Sequence, residues 1–226
     1  MPRHTRTGLR AVLVTSVLVL GLLGQTSAVY ASVPNSLGNR PFGKTYDQWA
    51  AEWWKWVLSI PVDRSPYIET TGEFCAEGQS GHVWHLAGYI SDGTVHRSCT
   101  IPAGQAISAP SLNVECSNAE APPFYGGNEE ELRACVEAIL PFTNQHFEVD
   151  GQSIAVHDVE SPLYQFTVPT DNFLGVPAGT YISVAAGGHV LVPPLPVGHH
   201  EISFGGTAPA FGGFTWDIHF DITVAP

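Results

Sequence analysis

The sequence predicts a mainly β protein, an antiparallel β-sandwich with an N-terminal Trp-rich helix and one further helix packed on it. Three observations carry that expectation. Short alternating runs, separated by Asp-Gly, Pro and Gly signals, recur from residue 82 onward, as in strands joined by tight turns. Only Thr45–Pro61 and Asn128–Leu140 space their apolar residues helically. Charged residues make up 13% of a chain with 23 Gly and 18 Pro, a composition that favours strands and turns over long solvated helices.

Residues 1–31 read as a secretory signal peptide. Arg3, Arg6 and Arg10 precede the apolar run Ala11–Leu23, which is short for a bilayer span. Val29-Tyr30-Ala31 then offers cleavage after Ala31, with Ala28 as the alternative. The expected product, residues 32–226, is a single secreted, extracellular β-rich domain with no membrane span. A helix and hairpin half (45–142) and a wholly β half (143–226) are the alternative division. All 21 acidic residues lie in this product against six Lys and Arg, which makes nucleic acid and anionic membrane surfaces poor partners. Four cysteines without a CxxC pair, in an exported chain, read as two disulfides rather than a zinc site.

Ser32–Lys44 is a polar lead-in without identifiable chemistry. In TYDQWAAEWWKWVLSIP, Thr45 and Gln48 form a capping box and Ser59-Ile60-Pro61 stops the helix. Tyr46, Trp49, Trp53, Trp56 and Val57 share one stripe, with Trp54 and Leu58 beside it. An aromatic side chain buries roughly 150–250 Å², so the stripe is read as core. An exposed sugar- or partner-binding platform is the alternative. Pro61–Gly81 is a long loop pinned by Cys75.

From His82 to Ile101, Asp92-Gly93 between two alternating runs predicts a hairpin that pairs Ser91 with Thr94, Tyr89 with His96 and His85 with Thr100. That register sends Trp84, Leu86, Ile90, Val95 and Cys99 to the core and His85, Tyr89, His96 and Ser98 to the opposite face. A strand follows at Gln105–Ala109, and IPAGQAISA is echoed by VPAGTYISV 75 residues later, too briefly to prove a duplication. The second helix places three Glu at its positive end and buries Leu132, Val136, Ile139 and Leu140. Cysteine pairing is expected in chain order, Cys75–Cys99 and Cys116–Cys135, because each bridge then closes a local segment around one hairpin or one helix.

Beyond residue 145 the expected strands are Phe147–Val149 and Gln152–Val156, a second Asp-Gly hairpin, then Leu163–Val168, Tyr181–Ala185, His189–Val192, Glu201–Phe204 and Phe214–Val224. The last alternates: Trp216, Ile218, Phe220, Ile222 and Val224 inward, Asp217, His219, Asp221 and Thr223 outward.

The combination WWKWVLSIP, TTGEFCAEGQSGHVW, CTIPAG, NVEC and HHEISFGG resembles a group of secreted bacterial proteins, which implies export but no activity. PPLPVGHHEISFGG and the alternating strand after it resemble the closing hairpin of immunoglobulin-like or PKD-like sandwiches, implying an immunoglobulin-like C-terminal half. Neither resemblance assigns a functional residue.

No complete catalytic set is legible. Gly78-Gln-Ser80-Gly81 has the shape of a trypsin-like nucleophile region, but in that order His and Asp must precede the serine, and the first histidine after residue 31 is His82. Helical metal spacings such as HExxH are absent. His199, Glu201, Asp217, His219 and Asp221 would share one polar strip if their strands pair, a candidate zinc or calcium site set against the ordinary polar face of a half-exposed sheet. No cofactor is predicted beyond it. Glu115 beside Cys116 and Glu73 near Cys75 are candidate acids for a carbohydrate-active enzyme. The expected function is a secreted, non-catalytic binding or surface-associated protein for an extracellular glycan or protein, through His85, Tyr89 and His96. The alternative is a secreted hydrolase or lyase, metal-assisted or not.

Overall fold

The computed structural model describes Met1 and residues 37–226. The signal-peptide expectation and both cleavage points lie outside the described residues. Residues 37–226 belong to one compact unit.

Its first long element, α1 (Tyr46–Leu58), begins as the sequence requires. Gln48 N donates to Thr45 Oγ1 at 3.3 Å, and Thr45 N donates back to Gln48 Oε1 at 3.0 Å. Trp49, Trp53, Trp54 and Trp56 are all under 10% exposed, so the aromatic stripe is core and not an exposed platform. Each indole N–H finds an acceptor: Trp49 on Pro41 O, Trp53 on Leu86 O, Trp54 on Asn113 Oδ1 and Trp56 on Glu77 O, at 2.8–2.9 Å. The helix is thereby bonded to the loops as well as packed on a sheet.

The strands and second helix follow as β1 (Val83–His85), β2 (Gly93–Pro102), β3 (Ala106–Ser117), α2 (Glu129–Ile139), β4 (Thr143–Val149), β5 (Gln152–Ser153), β6 (His157–Glu160), β7 (Tyr164–Val168), β8 (Gly179–Val192), β9 (Gly198–Ala208) and β10 (Phe214–Ala225). One sheet runs β1-β3-β8-β6, with β7 also on β8; the other runs β2-β10-β9-β4-β5. Helix α1 lies across β3, β6, β7 and β8, and α2 across β3 and β8. The protein is therefore mainly β with helices on one sheet. The sheets are mixed rather than antiparallel throughout, because β1 pairs parallel with β3 and β2 parallel with β10.

That parallel pairing overturns the first predicted hairpin. Val83–His85 join the sheet under α1 and Gly93–Pro102 join the other sheet, so none of the expected pairs across Asp92-Gly93 forms. Asp92 instead accepts from Thr215 N at 2.6 Å, tying the crossing segment to the start of β10. Asp-Gly is also a generic turn signal, and the long-range contacts here outweigh the local hairpin. The alternation of β2 still holds, with Val95, Arg97, Cys99 and Ile101 buried and Thr94, His96, Ser98 and Thr100 exposed.

The second Asp-Gly hairpin does form. Asp150 and Gly151 both take positive φ, and Val149 pairs with Gln152. Helix α2 is capped by Asn128, whose Oδ1 accepts from Glu131 N, and it buries Leu132, Val136 and Ile139. Both predicted disulfides are present, Cys75–Cys99 and Cys116–Cys135. The reason given for the first was wrong, since it bridges a loop to β2 and not the two arms of a hairpin.

Two strands expected either side of Ala186-Gly187-Gly188 are one, β8. Strand β3 bulges opposite this point, between Pro110 and Asn113. A Cβ on Gly187, at φ +130°, would stand 2.5 Å from Leu112 O. These glycines permit close approach and are not a break.

Candidate functional site

Between the two sheets lies a cleft of about 680 Å³, within the range of small-molecule sites. Trp54 reaches it from α1, and Phe214 and Trp216 from β10. Tyr67, Phe124, Phe142, Phe173 and Phe211 come from the connecting segments, making eight aromatic walls among the described residues. Ile90 and Phe211 are 44% and 38% exposed, so apolar surface continues outward from the cleft. Ile90 was expected in the core; its place beside this opening accounts for its exposure.

The polar part of the lining is small and acidic. Glu115 on β3 and Glu120 in the turn after it both line the cleft, near enough that each shifts the other's titration. Ser183 Oγ donates to Glu115 Oε2 at 2.5 Å and lies 3.0 Å from the Tyr164 hydroxyl, while Ser117 Oγ donates to Glu120 Oε2 at 2.9 Å. Burial and then the neighbouring Glu120 push the Glu115 carboxyl well above the usual carboxylate range. Burial raises Glu120 too, against the bonds from Glu115 and Ser117 that lower it. Two neighbouring carboxyls disfavour ionising together, so each makes the other easier to protonate. The same burial and the charge of Glu115 raise the Tyr67 and Tyr164 phenols.

Two donors on lining residues are left open. Asn113 Nδ2 and Trp216 Nε1 are buried without a hydrogen-bond partner among the described residues. A buried donor in that condition costs about 1–3 kcal/mol, which a ligand oxygen or a bound water would relieve.

The predicted binding trio is not brought together. His85 is buried, stacked on Trp56 at 5.3 Å and tilted against Trp49, and burial pushes its pKa down to about 4. Tyr89 is half-buried, beside the Arg97 guanidinium. His96 is exposed on β2, in the other sheet from His85. The surface expected from the hairpin therefore does not exist, because the hairpin does not.

The predicted metal strip is one face of the β9–β10 pair, with Glu201 opposite Asp221 and His199 opposite Thr223. His219 bonds Asp217 at 3.0 Å and stacks on His96 at 4.6 Å, while His199 contacts Thr223 Oγ1 at 3.2 Å. Among the described residues, no group of three or more His, Cys, Asp or Glu side chains is placed to hold a metal ion. The zinc or calcium expectation is therefore unsupported, and the strip reads as a solvated sheet face.

Catalytic alternatives fare no better. Ser80 and Glu73 are exposed in the loop before β1, and Glu115 pairs with Glu120 instead of Glu73. Two carboxyls side by side leave no room for the glycosidic bond and water of a glycosidase. Ser108 Oγ and His189 Nε2 are 2.9 Å apart, but both are buried to 1% or less and neither lines the cleft. Burial, with His85 and His157 nearby, holds His189 neutral with a pKa of about 3. The pair is a satisfied core contact.

No family model matches this chain, and no curated protein matches it. Two solved structures align with it. The structure of PbICP-C in complex with falcipain-2 is 7% identical with a TM-score of 0.28, and the solution structure of Amebosin is 11% identical with a TM-score of 0.20. Each alignment covers 64% of this chain and 100% of the other. Both scores fall below those of a shared fold.

Sequence reasoning missed Glu120, Asn113 and the aromatic walls. Glu115 beside Cys116 was legible as a pinned acid; its partner five residues on was not, because only the turn after β3 brings the two together.

Proposed function

We propose that this chain is an exported, disulfide-stabilised, non-catalytic binding protein whose ligand is a small, largely apolar molecule held between the two sheets. The eight aromatic side chains around a cleft of about 680 Å³ carry the reading. A core of this size packs to near crystal density, so an aromatic void with unpartnered donors in its lining favours an occupant. Export rests on the basic and apolar N-terminal pattern of the sequence together with two disulfides, which persist in oxidising compartments. Among the described residues no helix is long and apolar enough to cross a membrane. The resemblance to secreted bacterial proteins, and that of the C-terminal half to an immunoglobulin-like sandwich, fit the same reading.

One observation favours a second reading, a hydrolase or lyase. A pair of neighbouring carboxyls beside a cleft is the arrangement with which aspartic proteases activate water. Turnover of an extracellular substrate that is lost in Glu120→Gln would establish it.

The binding reading is tested with Nile red, an uncharged dye that brightens in apolar surroundings. Wild-type protein is expected to bind it saturably at one site. Ala121→Trp, at an exposed position on the cleft lining, should lose that signal at an unchanged melting temperature. Equal brightening in both proteins, or none in the wild type, would sink the proposal.

A further inference from the structure

Outside the cleft, three polar features are already satisfied or solvated. The His96–His219 stack is solvated, the Ser108–His189 pair has no access, and Arg97 is spent on the carbonyls of Ala87, Gly88 and Glu69. The cleft itself says more, through the balance of charge in its walls.

Among the described residues, the ionisable lining residues other than Tyr67 are both acids, with no Lys, Arg or His in the walls. Two described cations outside the lining have other partners. Arg97 is held as above, and Lys55, 5.8 Å from the Tyr164 ring centre, bonds Glu52 at 2.9 Å. The acid pair is built in rather than incidental, since Ser183 and Ser117 each fix one carboxyl and Glu115 is only 4% exposed. An anion entering here would meet acidic side chains with no basic partner among the described lining residues, whereas a cation would meet carboxyl oxygens and the aromatic rings of Trp54, Tyr67 and Trp216. Carboxylate and aromatic faces together are the chemistry that recognises alkylammonium groups.

We infer that the cleft selects hydrophobic organic cations, aryl- or alkylammonium ions whose nitrogen rests against the Glu115–Glu120 pair while the apolar body lies among the aromatic walls. This rests on the binding reading above. The open donors of Asn113 and Trp216 would further suit a cation that also carries a hydroxyl or ether oxygen.

The experiment measures binding of three near-isosteres, naphthylethylammonium, naphthylethanol and naphthylpropanoate, by calorimetry with the mature protein at neutral pH. The ammonium should bind at least about tenfold tighter than the alcohol, with the carboxylate weakest. In the double variant Glu115→Gln, Glu120→Gln the preference for ammonium over alcohol should vanish. Glu120→Gln alone, at a half-buried position, should reduce it and serves if the double variant does not fold. If ammonium and alcohol bind equally to the wild type, or the carboxylate binds best, the charge inference is wrong while the apolar-ligand reading survives. Failure of all three and of Nile red to bind removes both.

Discussion

Glu115, near the end of β3, and Glu120, five residues later, stand side by side in a lining that is otherwise largely aromatic and aliphatic. Their proximity makes stability depend on pH in an unusual direction. Both carboxyls sit above their ordinary value when folded, so the folded chain keeps protons that the unfolded chain releases from about pH 4.3 upward. Their contribution is complete below that pH and is lost as pH rises through the folded values. Glu115→Gln cannot titrate, and its stability by urea unfolding should fall less than that of the wild type as pH climbs from about 4.3. A wild-type curve parallel to the variant's would show that the pair is not protonated.

Histidine pulls the other way. Burial lowers His85 to about 4 and His189 to about 3. Below about pH 6.5 the unfolded chain takes up protons there that the folded chain refuses. Their contribution is present above that pH and is lost as pH falls toward the folded values. In the wild type the two trends oppose each other from about pH 6.5 down to about 4.3. Removing the acid trend with Glu115→Gln should therefore expose a steeper loss on acidification in that window. His189→Asn in the same background should reduce the slope by up to one proton, and an unchanged slope would place the responsible groups elsewhere.

How much was legible follows from where each signal resides. The helices could be read because capping, end charge and apolar spacing are local: Thr45 with Gln48 in the first, three Glu in the opening turn of the second. Strand β10 could be read because one face is core and the other solvated, leaving Trp216, Ile218 and Phe220 alternating with Asp217 and His219. Strand β3 was read only at its start, Gln105–Ala109, since all twelve of its residues are buried and no alternation marks the rest. The cleft was hidden for a further reason. Its walls come from a helix, two sheets and several connections, a juxtaposition of residues from Trp54 to Trp216 that no local pattern encodes.

Trp53 tests the organising role of α1. It is 1% exposed, touches Trp54, Trp56 and Tyr67 edge to face, and donates to Leu86 O at 2.8 Å. Trp53→Ala should cost about 3–5 kcal/mol by denaturant unfolding. Trp53→Phe should cost less, chiefly the lost bond to Leu86. A loss below about 1 kcal/mol for the alanine variant would mean that the helix is not the anchor the packing implies.

Gly187 tests the link between β8 and the cleft. A Cβ there would meet Leu112 O at 2.5 Å and both Asn113 Cα and Phe142 Cε2 at 2.8 Å, at a φ of +130° that L side chains avoid. Two of those three atoms are backbone in the β3 bulge, so relief requires the strand to move. Leu112, Asn113 and Phe142 all line the cleft, and the movement should be felt there. Gly187→Ala is expected to lose about 1–3 kcal/mol and to weaken Nile red binding. Gly212→Ala is the control, because its φ of +69° is also left-handed but nothing lies within 4 Å of the added carbon. It should carry only the backbone cost of about 1 kcal/mol or so. If the two variants lose the same stability and bind the dye alike, the close approach of β8 to the bulge does not shape the cleft.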